Sequence, residues 1–197
     1  MKKVLIKESD IVYHWALQIF VIDHFRQRND EAIIFLDNAG KAGMEDADII
    51  IYGFRPGEIL TCIPEFKTTK AVVVMGIYTQ DRPEAHLLPS CFQSMTLIHR
   101  SGSVEEYQSI LSKASKPPPC SARSAARKGC VGCLHKELSH QQRQVFVEIG
   151  KGKSAEQIAS ELAITVKTVL SHKHLAMRKF NLNSDQQLLQ FLSLSNE

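Results

Sequence analysis

The chain has 197 residues, of which 44% are hydrophobic, and a formal net charge of +3 at pH 7. This composition is typical of globular proteins, and the length favours two small domains over one. No run approaches the roughly 18 apolar residues of a membrane-spanning helix. The apolar run near the N-terminus is broken by Lys7, Glu8 and Asp10, which argues against a signal peptide. We therefore expect a cytoplasmic protein that does not contact a membrane.

Charge is distributed unevenly along the chain. Residues 1–112 contain 11 Lys and Arg against 15 Asp and Glu, and residues 113–197 contain 13 against 6. The net charges are therefore −4 and +7. An acidic half joined to a basic half is typical of a nucleic-acid-binding domain with a separate sensing or interaction domain.

The first 112 residues alternate apolar runs with helical patterns. Five runs predict strands, at Lys3–Ile6, Ala32–Leu36, Asp48–Phe54, Lys70–Tyr78 and Met95–Ile98. Helical patterns cover Asp10–Arg28 and Val104–Leu111, whereas the pattern over 82–92 is weak. Continuous β-branched runs are typical of parallel strands that helices cover on both faces. We therefore predict a doubly wound, flavodoxin-like α/β domain over residues 1–112.

The sequence over residues 113–136 predicts a linker, with three consecutive prolines at 117–119 followed by small and basic residues. It contains Cys120, Cys130 and Cys133, and His135 follows. The Cys-x-x-Cys pair, with Cys120 and His135, has the ligand types of a zinc site, and it also suits a redox-labile disulfide. We favour free cysteines and expect no cofactor. Cys62 and Cys91 are expected in or near the α/β core.

The last 60 or so residues predict four short helices. Three of them begin with a capping box, in which Ser139, Ser154 and Ser184 are each followed three residues later by a glutamine. Thr165 is expected to cap the remaining helix. Because helices this short are unstable alone, they must pack together, and we predict an all-α four-helix domain over residues 137–197.

The third of these helices, Val166–Phe180, carries the functional pattern. Val169, Ala176 and Phe180 fall on one face, and the opposite face is basic and polar. A tight connector of three residues joins it to the preceding helix, Ala155–Leu162. This layout predicts a helix-turn-helix whose second helix enters the DNA major groove. The side chains of the outer face are Lys167, Leu170, Ser171, Lys173, His174 and Arg178, with Lys179 nearby.

The segments Gly152–Ala159, Lys167–Lys173 and Arg178–Phe180 resemble the LuxR/FixJ/NarL-type helix-turn-helix. The resemblance implies that Leu170, Ser171 and His174 read bases. It implies backbone contacts or helix support for Lys167, Thr168, His172, Lys173 and Lys179, and Arg178 has the charge to neutralise a phosphate. The fourth helix carries more apolar surface than one small domain needs, at Leu188, Leu189, Phe191 and Leu192. In the family this helix pairs subunits, so a dimer is implied. Because Leu170 replaces a residue that is often polar, the preferred DNA sequence cannot be carried over.

A five-stranded domain before such a helix-turn-helix resembles a response-regulator receiver. Here Gly53 stands where the phosphoacceptor aspartate is expected, Arg100 stands where a lysine is expected, and Glu8 retains one acidic group. Without that aspartate the chain lacks a nucleophile for phosphoryl transfer, and Mg²⁺ has too few oxygen ligands. The prediction is an atypical response regulator that does not switch by aspartyl phosphorylation.

The functional prediction is therefore a transcription regulator that binds promoter DNA as a dimer. The alternative is an auxiliary protein that forms a heterodimer with another LuxR-type regulator. RNA polymerase is left open as a further partner. We expect no enzymatic activity, because the sequence has neither a glycine-rich phosphate loop after a strand nor a serine nucleophile elbow.

Overall fold

The protein is described here by a computed structural model, which covers residues 1–27, 32–37, 41–67, 69–80, 84–92, 95–115, 133 and 135–193. The chain folds into two compact units. The first comprises residues 1–54 and 62–134, and the second comprises residues 55–61 and 135–197. We call them the receiver-like unit and the helical unit, and each is described by itself.

The receiver-like unit is built on a five-stranded parallel sheet with the strand order β2-β1-β3-β4-β5. This order is that of flavodoxin-like folds, so the predicted fold class is confirmed. Val4 of β1 pairs with Ile49 of β3, and Ile49 pairs with Val73 of β4. The strands are β1 (Lys2–Lys7), β2 (Ile33–Leu36), β3 (Ile49–Gly53), β4 (Val73–Tyr78) and β5 (Thr96–His99).

Three helices belong to this unit: α1 (Ile11–Arg26), α2 (Lys41–Asp46) and α3 (Val104–Ser112). The Asp10 side chain caps α1 by accepting from the amides of Val12 and Tyr13, and a capping box between Ser103 and Glu106 begins α3. Side chains of α1 and α3 pack on one face of the sheet in a core that includes Leu17, Val21, Phe25, Tyr107, Ile110 and Leu111.

The connections on either side of β4 differ from the α-helical crossovers of an ordinary doubly wound fold. Their described residues form only 3₁₀ turns, at Glu58–Leu60, Pro64–Lys67, Ala85–Leu87 and Ser90–Phe92. Four aromatic rings, those of Tyr52, Phe54, Phe66 and Phe92, fill the space beside the sheet with neighbouring centroids 5.1–5.7 Å apart. These packed aromatic rings therefore cover part of the sheet, as helices do elsewhere in the unit.

The helical unit contains the four predicted helices: α4 (His140–Gly150), α5 (Ala155–Glu161), α6 (Val166–Lys179) and α7 (Asp185–Ser193). The capping boxes at Ser139 and Ser154 are confirmed. At α7 the arrangement differs: the Ser184 hydroxyl accepts from the Gln187 amide, and Gln187 Oε1 accepts from the amide of Asn183. A glutamine side chain is long enough to satisfy a donor one residue further out.

Residues Arg55–Thr61 also belong to the helical unit, although they lie in the middle of the α/β half of the sequence. We call this segment the strap. The carbonyl oxygen of Leu60 accepts from the Lys136 amide at 3.0 Å, and Arg55 Nη1 donates to Ser193 Oγ at 3.3 Å. Gly57 has φ 77° and lies directly against Phe191, Leu182 and Phe180. Its hydrogen atom leaves room for that close packing.

We expect Gly57→Ala to destabilise the protein more than Gly152→Ala. Both glycines have positive φ, at 77° and 79°, so each alanine carries the left-handed backbone penalty of about 1–2 kcal/mol. Only at position 57 would the new Cβ also meet a neighbour, 2.9 Å from Phe191 Cδ2, which adds an overpacking cost of about 1–3 kcal/mol. Urea denaturation of both variants gives the difference in unfolding free energy, and equal losses would contradict the strap packing.

Candidate nucleic-acid interface

The turn between α5 and α6 sets the direction of α6. Ala163 has φ 51°, in the left-handed region, and the Ile164 amide donates to the carbonyl of Ala159 at 3.0 Å. Thr165 then caps α6, because its Oγ1 accepts from the Thr168 amide at 3.1 Å. The Thr168 hydroxyl lies 2.8 Å from that of Thr165, so this side chain supports the cap. The predicted helix-turn-helix layout is therefore present.

The two faces of α6 are divided as the sequence predicted except at Lys173, which was predicted on the outer face and is half-buried. Val169, Ala176 and Phe180 are buried in the unit, and His172 is half-buried. The exposed face carries Lys167, Leu170, Ser171, His174, Leu175 and Arg178. Leu175, which is 47% exposed, was not predicted as part of this face, since leucines usually face inward. The outer face of α6 thus combines small, apolar and basic side chains.

Lysine and arginine side chains of the helical unit fall into two groups. Lys151 and Lys153 pair with Glu148, and Lys173 Nζ lies 2.7 Å from Asp185 Oδ1 with its side chain only 20% exposed. By contrast, no described residue forms an ion pair with Lys167, Arg178 or Lys179. The second group is free to neutralise phosphates, whereas Lys173 joins α6 to α7.

The end of α6 is fixed by a Schellman motif. Asn181 adopts φ 55°, its amide donates to the carbonyl of Arg178, and the Leu182 amide donates to the carbonyl of Met177 at 2.8 Å. Asparagine tolerates this left-handed position better than most residues. Arg178 and Lys179 therefore stand on a helix terminus of defined geometry.

The apolar surface of α7 is smaller than the sequence suggested. Of the four apolar side chains predicted as surplus surface, Leu188, Phe191 and Leu192 are buried within the helical unit. The strap and the other helices cover them. Leu189 alone among the apolar side chains of α7 is exposed, at 54%.

In the receiver-like unit, a carboxylate occupies the space of the expected phosphoacceptor. A Cβ on Gly53 would overlap Glu8 Oε2 and lie 3.0 Å from Glu8 Cδ. The Glu8 side chain is 5% exposed, and Arg100 Nη1 lies 3.8 Å from its Oε1. Arg100 also pairs with Asp10 at 2.6 Å. Glu8 therefore lies over Gly53, and Arg100 of the same unit balances its negative charge.

Aromatic groups hold Arg100 in place. Its guanidinium carbon lies 4.0 Å from the centroid of the Tyr13 ring, and the Tyr13 hydroxyl lies 2.8 Å from that of Tyr107. Burial, together with the bond to Tyr13, raises the pKa of Tyr107 far above its usual value. The Tyr13 amide and then Arg100 lower the pKa of Asp10, although burial opposes them. This cluster is charged and hydrogen-bonded without any added phosphoryl group.

The described cysteines of the receiver-like unit lie together. Cys62 Sγ is 4.0 Å from Cys91 Sγ and within 4.8 Å of Cys133 Sγ. Burial raises the pKa of Cys133, but hydrogen bonds from the Ser90 hydroxyl, the Cys91 and Ser90 amides and the Cys62 thiol lower it to about 6 overall. Sequence spacing had grouped Cys133 with Cys120 and Cys130, which lie outside the described residues. His135 belongs to the helical unit, where its Nε2 lies 2.6 Å from Glu137 Oε1.

Comparison with known proteins bears on the helical unit first. The family described as bacterial regulatory proteins, luxR family, matches residues 136–192. Residues 136–192 form a LuxR-family domain. No curated protein matches the chain. Within the described residues, no helix is long and apolar enough to cross a membrane.

Two solved structures resemble the whole chain in fold. One shows two RcsB dimers bound to two parallel DNAs, and it is 20% identical with a TM-score of 0.53. The other is RcsB from Salmonella enterica serovar Typhimurium bound to promoter P1flhDC in the presence of phosphomimetic BeF₃⁻, at 20% identity and a TM-score of 0.57. Each comparison covers 98% of both chains. The fold, a receiver-like unit followed by the LuxR-family domain, is therefore shared.

Proposed function

We propose that the protein is a transcription regulator that binds promoter DNA as a dimer and does not depend on aspartyl phosphorylation. The observation that carries this proposal is the outer face of α6, where Lys167, Arg178 and Lys179 have no ion-pair partner among the described residues. A helix of about 10 Å diameter fits the major groove, and its rim cations then face the phosphates. The LuxR-family match over residues 136–192 supports the same use of α6.

The residues of α6 take different roles in this proposal. Leu170, Ser171 and His174 are the base-facing side chains, because they are exposed and lie between the rim cations. Ser171 Oγ donates to the Lys167 carbonyl at 2.9 Å, so this hydroxyl offers its lone pairs to a base donor. Leu170 suits the methyl group of thymine. Thr168, His172 and Lys173 support the helix through its cap, its inner face and the Asp185 pair.

We expect Lys167→Ala and Arg178→Ala each to weaken binding to all duplexes and to lower the slope of log K against log salt by about 1. The matched control is Lys151→Ala, which removes an exposed lysine already paired with Glu148. His174→Ala should change the preferred sequence instead. Duplexes are first selected from a random pool at about 150 mM salt, where non-specific binding is weak. The affinity of each variant for these duplexes is then measured by fluorescence anisotropy.

The affinity for DNA, measured together with thermal stability, separates two roles of Lys173: pairing with Asp185 and contacting phosphate. Lys173→Ala and Asp185→Asn both break the pair between α6 and α7, so both should lower thermal stability. If Lys173→Ala weakens DNA binding while Asp185→Asn does not, Lys173 contacts phosphate as well. If the α6 variants leave DNA affinity unchanged and the proteins are folded, the docking of α6 is wrong.

We expect acetyl phosphate not to label the receiver-like unit. Gly53 has no nucleophilic side chain, and the Glu8 carboxylate that fills the space is paired with Arg100. The measurement is intact-mass spectrometry of the full chain after incubation with acetyl phosphate and Mg²⁺, with an ordinary receiver as positive control. Stoichiometric addition of a phosphoryl group to residues 1–112 would overturn phosphorylation independence.

For the dimer, α1 offers a more extensive surface than α7 does. Ile11, Trp15, Ile19 and Ile22 recur at spacings of one helical turn and are 41–64% exposed, and Val12 beside them is 71% exposed. The stripe runs the length of a 16-residue helix, about 24 Å. An apolar stripe of this length marks an interaction surface. A second copy is the occupant we propose, because a two-fold DNA site requires two α6 helices.

We expect Trp15→Glu and Ile19→Glu to convert the dimer to monomer, because each places a charge in the apolar stripe. Leu189→Glu on α7 is the matched comparison, being a similarly exposed apolar side chain in the other unit. Sedimentation velocity at several concentrations reports the change. Monomers produced by Leu189→Glu alone would assign pairing to α7 instead.

The second candidate function is an auxiliary regulator that forms a heterodimer with another LuxR-type protein. The exposed apolar stripe of α1 favours this heterodimer equally, because the stripe suits a related chain as well as a second copy of this one. A monomer that selects no duplex from the random pool, but is folded, supports this alternative. Selection of a roughly palindromic site supports the homodimer.

A further inference from the structure

Three thiols meet on the receiver-like unit from distant parts of the sequence. Cys62 lies in the connection between β3 and β4, Cys91 lies in the 3₁₀ turn Ser90–Phe92 between β4 and β5, and Cys133 lies near the end of the predicted linker. Cys62 and Cys91 are half-buried, and Cys133 is 9% exposed. The proposed DNA interface on α6 does not require these three thiols.

The distances between the sulfur atoms can be compared with those of a metal site and of a disulfide. Two thiolates bound to one tetrahedral Zn²⁺ at about 2.3 Å stand roughly 3.8 Å apart, whereas a disulfide needs about 2.05 Å. The Cys62–Cys91 separation is 4.0 Å, and Cys62 and Cys133 are within 4.8 Å. Cys62 Sγ therefore lies within reach of an ion that it could share with Cys91 or with Cys133.

Backbone and hydroxyl donors prepare one of these sulfurs for the charged form. The Ser90 hydroxyl and the amides of Ser90 and Cys91 donate to Cys133 Sγ. Donors of this kind surround metal-bound thiolates, because they disperse the negative charge and orient the ligand.

We propose that Cys62, Cys91 and Cys133 bind a Zn²⁺ ion as thiolates, leaving one position of the tetrahedron to water or to a nitrogen ligand. The fold gives the ion a structural task. The described parts of the two connections beside β4 contain 3₁₀ turns and no α-helix, so few backbone hydrogen bonds hold them. One ion bound to Cys62 and Cys91 joins the two connections. Cys133, as the third ligand, attaches the end of the predicted linker to them.

The test is the metal content of the full chain, purified under reducing conditions and incubated with ZnCl₂ before desalting. We expect about one zinc per chain by inductively coupled plasma mass spectrometry. Cobalt added to the metal-free protein should give the visible bands of a tetrahedral ion and a sulfur-to-cobalt charge-transfer band. Protein that remains metal-free and folded after this incubation overturns the site.

The other cysteines provide matched controls. Cys62→Ser, Cys91→Ser and Cys133→Ser should each weaken zinc affinity by 100-fold or more, whereas Cys120→Ser and Cys130→Ser should leave it within about twofold. Ser90→Ala, which removes a donor to Cys133, should weaken zinc affinity by roughly 10- to 100-fold. Circular dichroism confirms that each variant is folded, and a chelator should lower the melting temperature of the wild type but not that of Cys62→Ser.

Two results would contradict the assignment directly. Loss of zinc from Cys120→Ser or Cys130→Ser, with retention in Cys62→Ser and Cys91→Ser, would place the metal on the linker pair instead. A Cys62–Cys91 disulfide found by mass spectrometry in metal-free protein purified without reductant would replace the zinc site with a redox site. Both results leave the DNA-binding proposal unaffected, because no α6 residue takes part.

Discussion

A charge that is removed from water must be compensated, and this constraint organises the carboxyl edge of the sheet. Glu8 is 5% exposed and stands over Gly53, where its carboxylate needs a nearby cation. Arg100 supplies that cation from the residue after β5, and it is itself held by Asp10 and by the ring of Tyr13. The strand ends and the start of α1 are thereby joined by the two ion pairs of Arg100, with Glu8 and with Asp10. A side chain at Gly53 and the present position of Glu8 exclude each other, so the pocket is filled by the protein's own charge.

In the helical unit, local hydrogen bonds at the two ends of α6 set where the helix begins and ends, and packing of its inner face then fixes its orientation. Thr165 begins α6, Asn181 ends it, and Ala163 adopts a left-handed conformation in the turn before it. The inner face is buried on Val169, Ala176 and Phe180, so the rotation of α6 about its axis is determined by its core contacts. The residues on the opposite side are left exposed as a consequence. The LuxR-family match and the fold shared with RcsB agree with this arrangement.

Much of the fold could be predicted because it depends on local patterns. β-branched runs such as Ile49–Ile51 gave the parallel strands, and Ser139, Ser154 and Thr165 gave the helix starts. The outer face of α6 was predictable from its period for the same reason. Features that depend on contacts between distant residues were not. The spacing of Cys130 and Cys133 suggested a site within the linker, whereas Cys133 lies near Cys62 and Cys91. Cys62 lies in the irregular connection before β4 and Cys91 in a 3₁₀ turn, and neither segment has a periodic signal. The burial of Phe191 and Leu192 was also missed, because the strap that covers them comes from another part of the sequence.

The strap has a consequence for how the protein is made. Leu60 is synthesised long before Lys136, yet the two share a hydrogen bond inside the helical unit. The C-terminal helices therefore gain part of their packing from a segment of the first half of the chain, and closing so long a loop costs conformational entropy. Transplanted onto another protein without residues 55–61, the helical unit would lose the cover that Gly57 gives to Phe180, Leu182 and Phe191.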